Sequence, residues 1–116
     1  MLSGSQIFAC IINTGTSLEY LSLGCFPDNN DTRAIPTLES VNATFLDGPH
    51  EIRKNAVKKC ALEAAKMGYK AFAIQDGGAC YSGPYAHLNY SVYGARNCPT
   101  GVNDSMLVNE VYLVGG

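Results

Sequence analysis

Cys10, Cys25, Cys60, Cys80 and Cys98, five cysteines in a chain of 116 residues, constrain the fold more than any other feature of the sequence. Their separations of 15, 35, 20 and 18 positions contain no CxxC pair, and His50 and His87 supply no HxxxH, so the closely spaced ligands of a structural zinc site are missing. In an oxidising compartment such a set is a disulfide framework, and an odd count leaves one thiol over. N-x-S/T triplets begin at Asn30, Asn42, Asn89 and Asn103, and four glycosylation acceptors in this length point to a secreted or cell-surface chain. The length suits one core that gains from covalent staples. Residues 1–116 are therefore read as a single domain, with 1–17 as an N-terminal extension or first strand.

Charge and hydropathy exclude two classes of partner. A formal net charge of -2 with 16% charged residues gives no basic footprint for nucleic acid. No apolar run approaches the ~18 residues needed to cross a bilayer, so no membrane insertion is expected. Ile7 to Ile12, IFACII, lacks a basic flank and is short for a signal core. It reads as a first strand.

Period-two alternation predicts further strands over Leu18–Phe26, Tyr69–Ile74, Ala79–Tyr81 and Val108–Val114, the last pairing with Leu18–Leu23. Between them, Pro49 to Met67 predicts one helix, capped by Asp47 or Gly48, opened by Pro49 and stopped at Gly68. Ile52, Ala56, Cys60, Ala64 and Met67 form its inward stripe. Arg53, Lys54, Lys58, Lys59 and Lys66 lie on the other side, an ordinary solvated face with heparin-like binding as the alternative. The hairpin that follows this helix brings Cys60 near Cys80.

The richest chemistry lies in Asp76 to Gly94, which carries four tyrosines, Cys80 and His87. Sugar sites combine an aromatic platform with amide, carboxylate or imidazole partners, and Tyr81, Tyr85, His87, Asn89, Tyr90 and Asp76 supply that mixture. In an extended Tyr85–Tyr93 segment, Tyr85, His87 and Asn89 would face outward while Ala86, Leu88, Tyr90 and Val92 point inward. A glycan on Asn89 would obstruct such a site. Arg33, in the loop 27–48, is a solvated charge or the partner of a nearby Asp, with ligand binding as its other role.

Catalytic motifs are missing. There is no serine elbow, HExxH, P-loop or dinucleotide glycine pattern, and a Cys–His nucleophile would need Cys80 or Cys98 free beside His87. Asp28, Asp31 and Asp76 suit calcium in type but not in EF-hand spacing. No cofactor or metal is expected, and His50 is read as solvated.

Leu23-Gly24-Cys25-Phe26, with Asp28 and Arg33-Ala34, resembles the opening of WSC domains, and the likeness continues through Cys60, Gly68-Tyr69, Ala73, Gly78, Cys80-Tyr81 and Gly83. It covers most of Tyr20 to Tyr112. PAN/apple modules share the helix-on-sheet arrangement. The chain departs from the eight WSC cysteines: Ser82 stands at the second hairpin position, no cysteine lies near Ala64, and Cys10 falls outside the pattern. The resemblance implies Cys60–Cys80 and Cys25–Cys98 disulfides, and carbohydrate or protein recognition outside the cell.

The expected fold class is α+β, a small antiparallel sheet packed against one α-helix and stapled by disulfides. The expected function is a non-enzymatic extracellular recognition module whose partner is a glycan. A protein-binding adhesion or receptor domain, or a small secreted cysteine-rich effector, is the alternative.

Overall fold

A computed structural model of the protein describes residues 7–11, 17–39, 44–99 and 107–115. Five strands form one antiparallel sheet: β1 (Ile7–Ile11), β2 (Ser17–Pro27), β3 (Ala71–Gln75), β4 (Ala79–Ser82) and β5 (Val108–Gly115), in the order β1-β2-β5-β3-β4. The last strand pairs with β2 as the alternation predicts, Leu21 opposite Leu113 and Tyr20 opposite Val114, and it also pairs with β3 on its other edge. The chain thus inserts its final strand into the middle of the sheet. A bulge between Ser22 and Gly24 shifts the β2 register and sets Cys25 opposite Glu110.

Both faces of the sheet are covered. The helix α1 (Ala56–Lys66) lies on the face that presents Tyr20, Phe72, Ile74 and Tyr112, burying Cys60, Ala61 and Ala64 against them. Phe72 stacks on Tyr112 with centroids 5.0 Å apart, and Tyr20 meets both rings edge-on. Burial, with the Glu110 carboxylate accepting from its hydroxyl at 2.7 Å, pushes the Tyr112 phenol far above its ordinary pKa. On the opposite face, Ala71, Ala73, Tyr81 and Val111 are covered by Ala34, Ile35 and Ala86. Because β3 is buried on both faces, its AFAIQ sequence carries little polar alternation.

The helix is shorter than predicted. His50–Ile52 forms a separate 3-10 turn, and Asn55, at φ 53°, starts α1 in a left-handed conformation. Ile52, expected on the inward stripe, is 75% exposed. Tertiary contacts overrode local helix preference here. Arg53 turns its side chain inward, where its guanidinium pairs with both oxygens of Glu39 at 2.6 and 2.8 Å and donates to the Gly78 and Gly48 carbonyls. The 3-10 turn packs against the β3–β4 turn so closely that a Cβ at Gly78 would lie 2.4 Å from the His50 carbonyl oxygen. At the other end the helix stops as expected, with Gly68 at φ 77° and the Gly68 and Tyr69 amides donating to Ala65 and Ala64.

Two disulfides join these layers. Cys60–Cys80 ties α1 to β4 with Cα atoms 5.4 Å apart, and Cys25–Cys98 ties β2 to the loop after residue 94 with Cα atoms 5.1 Å apart. Both are the pairs that the WSC resemblance implied. Cys10 sits in β1 opposite Leu18.

Candidate functional site

The segment after β4 forms a short helix, α2 (Ala86–Asn89), followed by turns through Tyr93, and not the expected extended strand. Helical spacing replaces alternation, and the inward and outward residues change accordingly. Ala86 is buried, and Tyr90 meets Phe26 edge-on at 4.9 Å, as an inward position requires. Leu88 and Val92, expected inward, are 67% and 64% exposed beside a Tyr85 that is 66% exposed. The segment is docked at its far end by the Tyr93 hydroxyl, which donates to the Thr32 carbonyl.

The six candidate ligand-binding residues fall into three neighbourhoods. Tyr85, His87 and Asn89 share the α2 turn. Asn89 is exposed, while His87 is half-buried and its Nδ1 finds no hydrogen-bond partner among the described residues. Tyr81 and Arg33 form a second group, with the guanidinium carbon 5.1 Å from the ring centroid. Tyr81 is buried and contributes no open platform, a correction to its reading as a surface contact. Burial raises its phenol pKa, and Arg33 opposes part of that rise.

Arg33 has the Asp partner that its loop position suggested. Its Nη1 donates to Asp28 Oδ2 at 3.0 Å and its Nη2 to Asn30 Oδ1 at 2.9 Å. Asp28 also accepts from the Ala34 amide and from Gln75, which in turn donates to the fully buried Asn109. This network holds the loop 28–34 to the end of β3. With both oxygens of Asp28 so engaged, the suggested Asp28, Asp31 and Asp76 calcium set does not assemble.

Asp76 makes the third neighbourhood with a residue that the sequence left in solvent. His50 Nε2 lies 3.1 Å from Asp76 Oδ2 and 3.5 Å from Glu51 Oε2. Such long-range pairs leave no sequence signal, because the turn 76–78 meets residues 50–52 only through folding.

Two carboxylates are structural. Glu63, on α1 between Leu62 and Ala64, is fully buried and accepts from the Phe45 amide at 2.6 Å, with Lys66 Nζ 3.5 Å from its other oxygen. Glu39 clasps Arg53 and accepts from the Cys80 amide at 2.7 Å. Its burial alone would raise its pKa, but the Arg53 and Cys80 hydrogen bonds prevail and hold the carboxyl below the usual range. Cys80 and Cys98 are both consumed in disulfides, so neither can act as a nucleophile beside His87. Of the four sequons, Asn30 and Asn89 are exposed, and Asn42 and Asn103 lie outside the described residues.

These features define a disulfide-stapled α+β domain with an apolar and aromatic turn projecting from one side. No protein-family model matches the chain, and searches of curated proteins and of solved structures found no similar protein.

Proposed function

We propose that the protein is a non-enzymatic recognition module acting outside the cell, with the Tyr85–Val92 turn as its contact face and a carbohydrate as its ligand. The observation that carries this reading is the exposed Tyr85 ring at the start of the α2 turn with the exposed Asn89 amide four residues on, a spacing that puts both on one helical face. A flat aromatic ring stacks on the C–H face of a sugar, and the amide on the same helical face supplies hydrogen bonds to hydroxyls. The disulfides agree with an oxidising compartment. The likeness to WSC and PAN/apple modules adds the same expectation.

A protein ligand is the second reading, and the exposure of Leu88 and Val92 favours it, since aliphatic side chains add contact area to a protein interface but little to a sugar site. A glycan array with the native protein, Tyr85→Ala and His87→Ala tests the first reading. Glycan signal lost in both variants supports it, and no signal from folded protein ends it. For the second, labelled protein is applied to cells treated with glycosidase or protease. Binding that survives glycosidase, fails after protease and disappears with Leu88→Asp identifies a protein partner. Asn89→Gln, made in the same series, removes a glycan that would cover this face.

A further inference from the structure

His50, Glu51 and Asp76 lie apart from the α2 face and have no role in either reading above. Each offers one ligand atom, and the three atoms lie within 4.8 Å of one another. We propose that this triad is a binding site for a divalent transition metal, zinc first among them.

The separations suit the chemistry. Two ligand atoms bound to tetrahedral zinc at about 2.0–2.1 Å stand about 3.3–3.4 Å from each other. His50 Nε2 to Asp76 Oδ2 at 3.1 Å and to Glu51 Oε2 at 3.5 Å bracket that edge. The third edge, Glu51 to Asp76, is within 4.8 Å, and the Glu51 side chain, 61% exposed, closes it by swinging toward the ion. One imidazole nitrogen with two carboxylate oxygens favours zinc and its neighbours in the first transition row over calcium or magnesium, which prefer oxygen alone. Three protein ligands leave a fourth position open to water or a ligand.

Charge and rigidity favour the same site. With a neutral imidazole, the triad carries two negative charges that a divalent ion balances. The nearby Arg53 does not oppose this, because its guanidinium is matched by Glu39 through two short hydrogen bonds. Arg53 also fixes the frame: it donates to the Gly48 carbonyl on the approach to the 3-10 turn and to Gly78 in the β3–β4 turn, holding both ligand-bearing segments together. Gly78 permits the approach, since any Cβ there would collide with the His50 carbonyl. The hairpin is secured in turn by Cys60–Cys80. The two backbone segments are held together before metal arrives, so the ordering that opposes binding is mainly that of the Glu51 side chain.

Titration calorimetry of the 116-residue, disulfide-intact chain with zinc chloride tests the proposal, alongside His50→Ala, Asp76→Asn and Glu51→Gln. The native chain takes up one zinc saturably, His50→Ala and Asp76→Asn each weaken binding by at least about tenfold, and Glu51→Gln weakens it less. Thermal unfolding without metal checks that the variants fold, and Asn suits position 76 because it tolerates the φ of 50° found there. His87→Ala and Cys10→Ser bind as the native chain does. Cobalt in place of zinc gives d–d bands without thiolate charge transfer. Absence of saturable zinc uptake overturns the proposal, as does uptake unchanged in His50→Ala and Asp76→Asn, or calcium bound as tightly as zinc.

Discussion

The two faces of the sheet are built on different plans. Beneath α1 lie Phe72, Tyr112 and Tyr20 in mutual ring contact, a buried disulfide and the Glu39–Arg53 clasp. Beneath α2 lie Ala71, Ala73 and Ala79, small residues that let a short helix and the loop 34–38 approach closely. The first face buries Tyr20, Phe72, Ile74 and Tyr112, with Val57, Leu62 and Met67 of the helix region partly buried against them; on the second, α2 buries Ala86 and Tyr90 packs, but Tyr85, Leu88 and Val92 stay in solvent. Stability and the proposed contact surface are thus separated across one sheet. A segment held by a few anchors can change its exposed side chains without disturbing the core.

The sharpest test of that contrast is Phe72→Ala against Tyr90→Ala in denaturant unfolding. Phe72 is fully buried between two rings, so its truncation costs about 3–5 kcal/mol. Tyr90 is half-buried with one edge-on partner, and its loss costs about 1–2 kcal/mol. Equal losses would erase the distinction. Next in size is Cys60→Ala/Cys80→Ala, which frees a separation of 20 residues and lowers stability by about 3 kcal/mol on the chain-entropy model, seen as a fall in melting temperature.

A smaller effect is expected from Glu39→Gln, which leaves the Arg53 side chain, only 1% exposed, without its charge partner and costs about 1.5–3 kcal/mol at neutral pH. Because the folded-state pKa of Glu39 is depressed, its contribution is complete above the unfolded carboxyl value of about 4.3 and is lost as pH falls through the lower folded value. The stability gap between the native chain and Glu39→Gln should therefore hold steady at neutral pH and narrow in acid. A gap that widens in acid would show the clasp to be something other than this ion pair. Smallest of all, Tyr85→Ala, Leu88→Ala and Val92→Ala should each change stability by no more than about 0.5 kcal/mol in the same unfolding assay. A larger loss would make this face part of the core.

The sheet was legible because period-two patterns in Leu18–Phe26 and Val108–Val114 survive in the structure, and the Gly68 stop is a local signal with a local cause. Cys60 fell on the buried stripe of the helix, where spacing alone put it near the hairpin. The site was less legible. Tyr85, His87 and Asn89 were found together by proximity in sequence, but the segment was read at the wrong period, so Leu88 and Val92 were assigned to the core. A run of tyrosines bounded by glycines carries little information on whether four residues will turn as a helix.

Sequence by itself determined the strands, the helix end and the need for covalent staples, because each follows from side-chain periodicity, backbone freedom or residue chemistry within a few positions. Tertiary structure alone decided that Arg53 would turn inward and the helix start late, that Glu63 would be buried, and that His50 would meet Asp76. Those outcomes depend on pairings between residues distant along the chain, whose energies arise only once the sheet and the β3–β4 turn are in place.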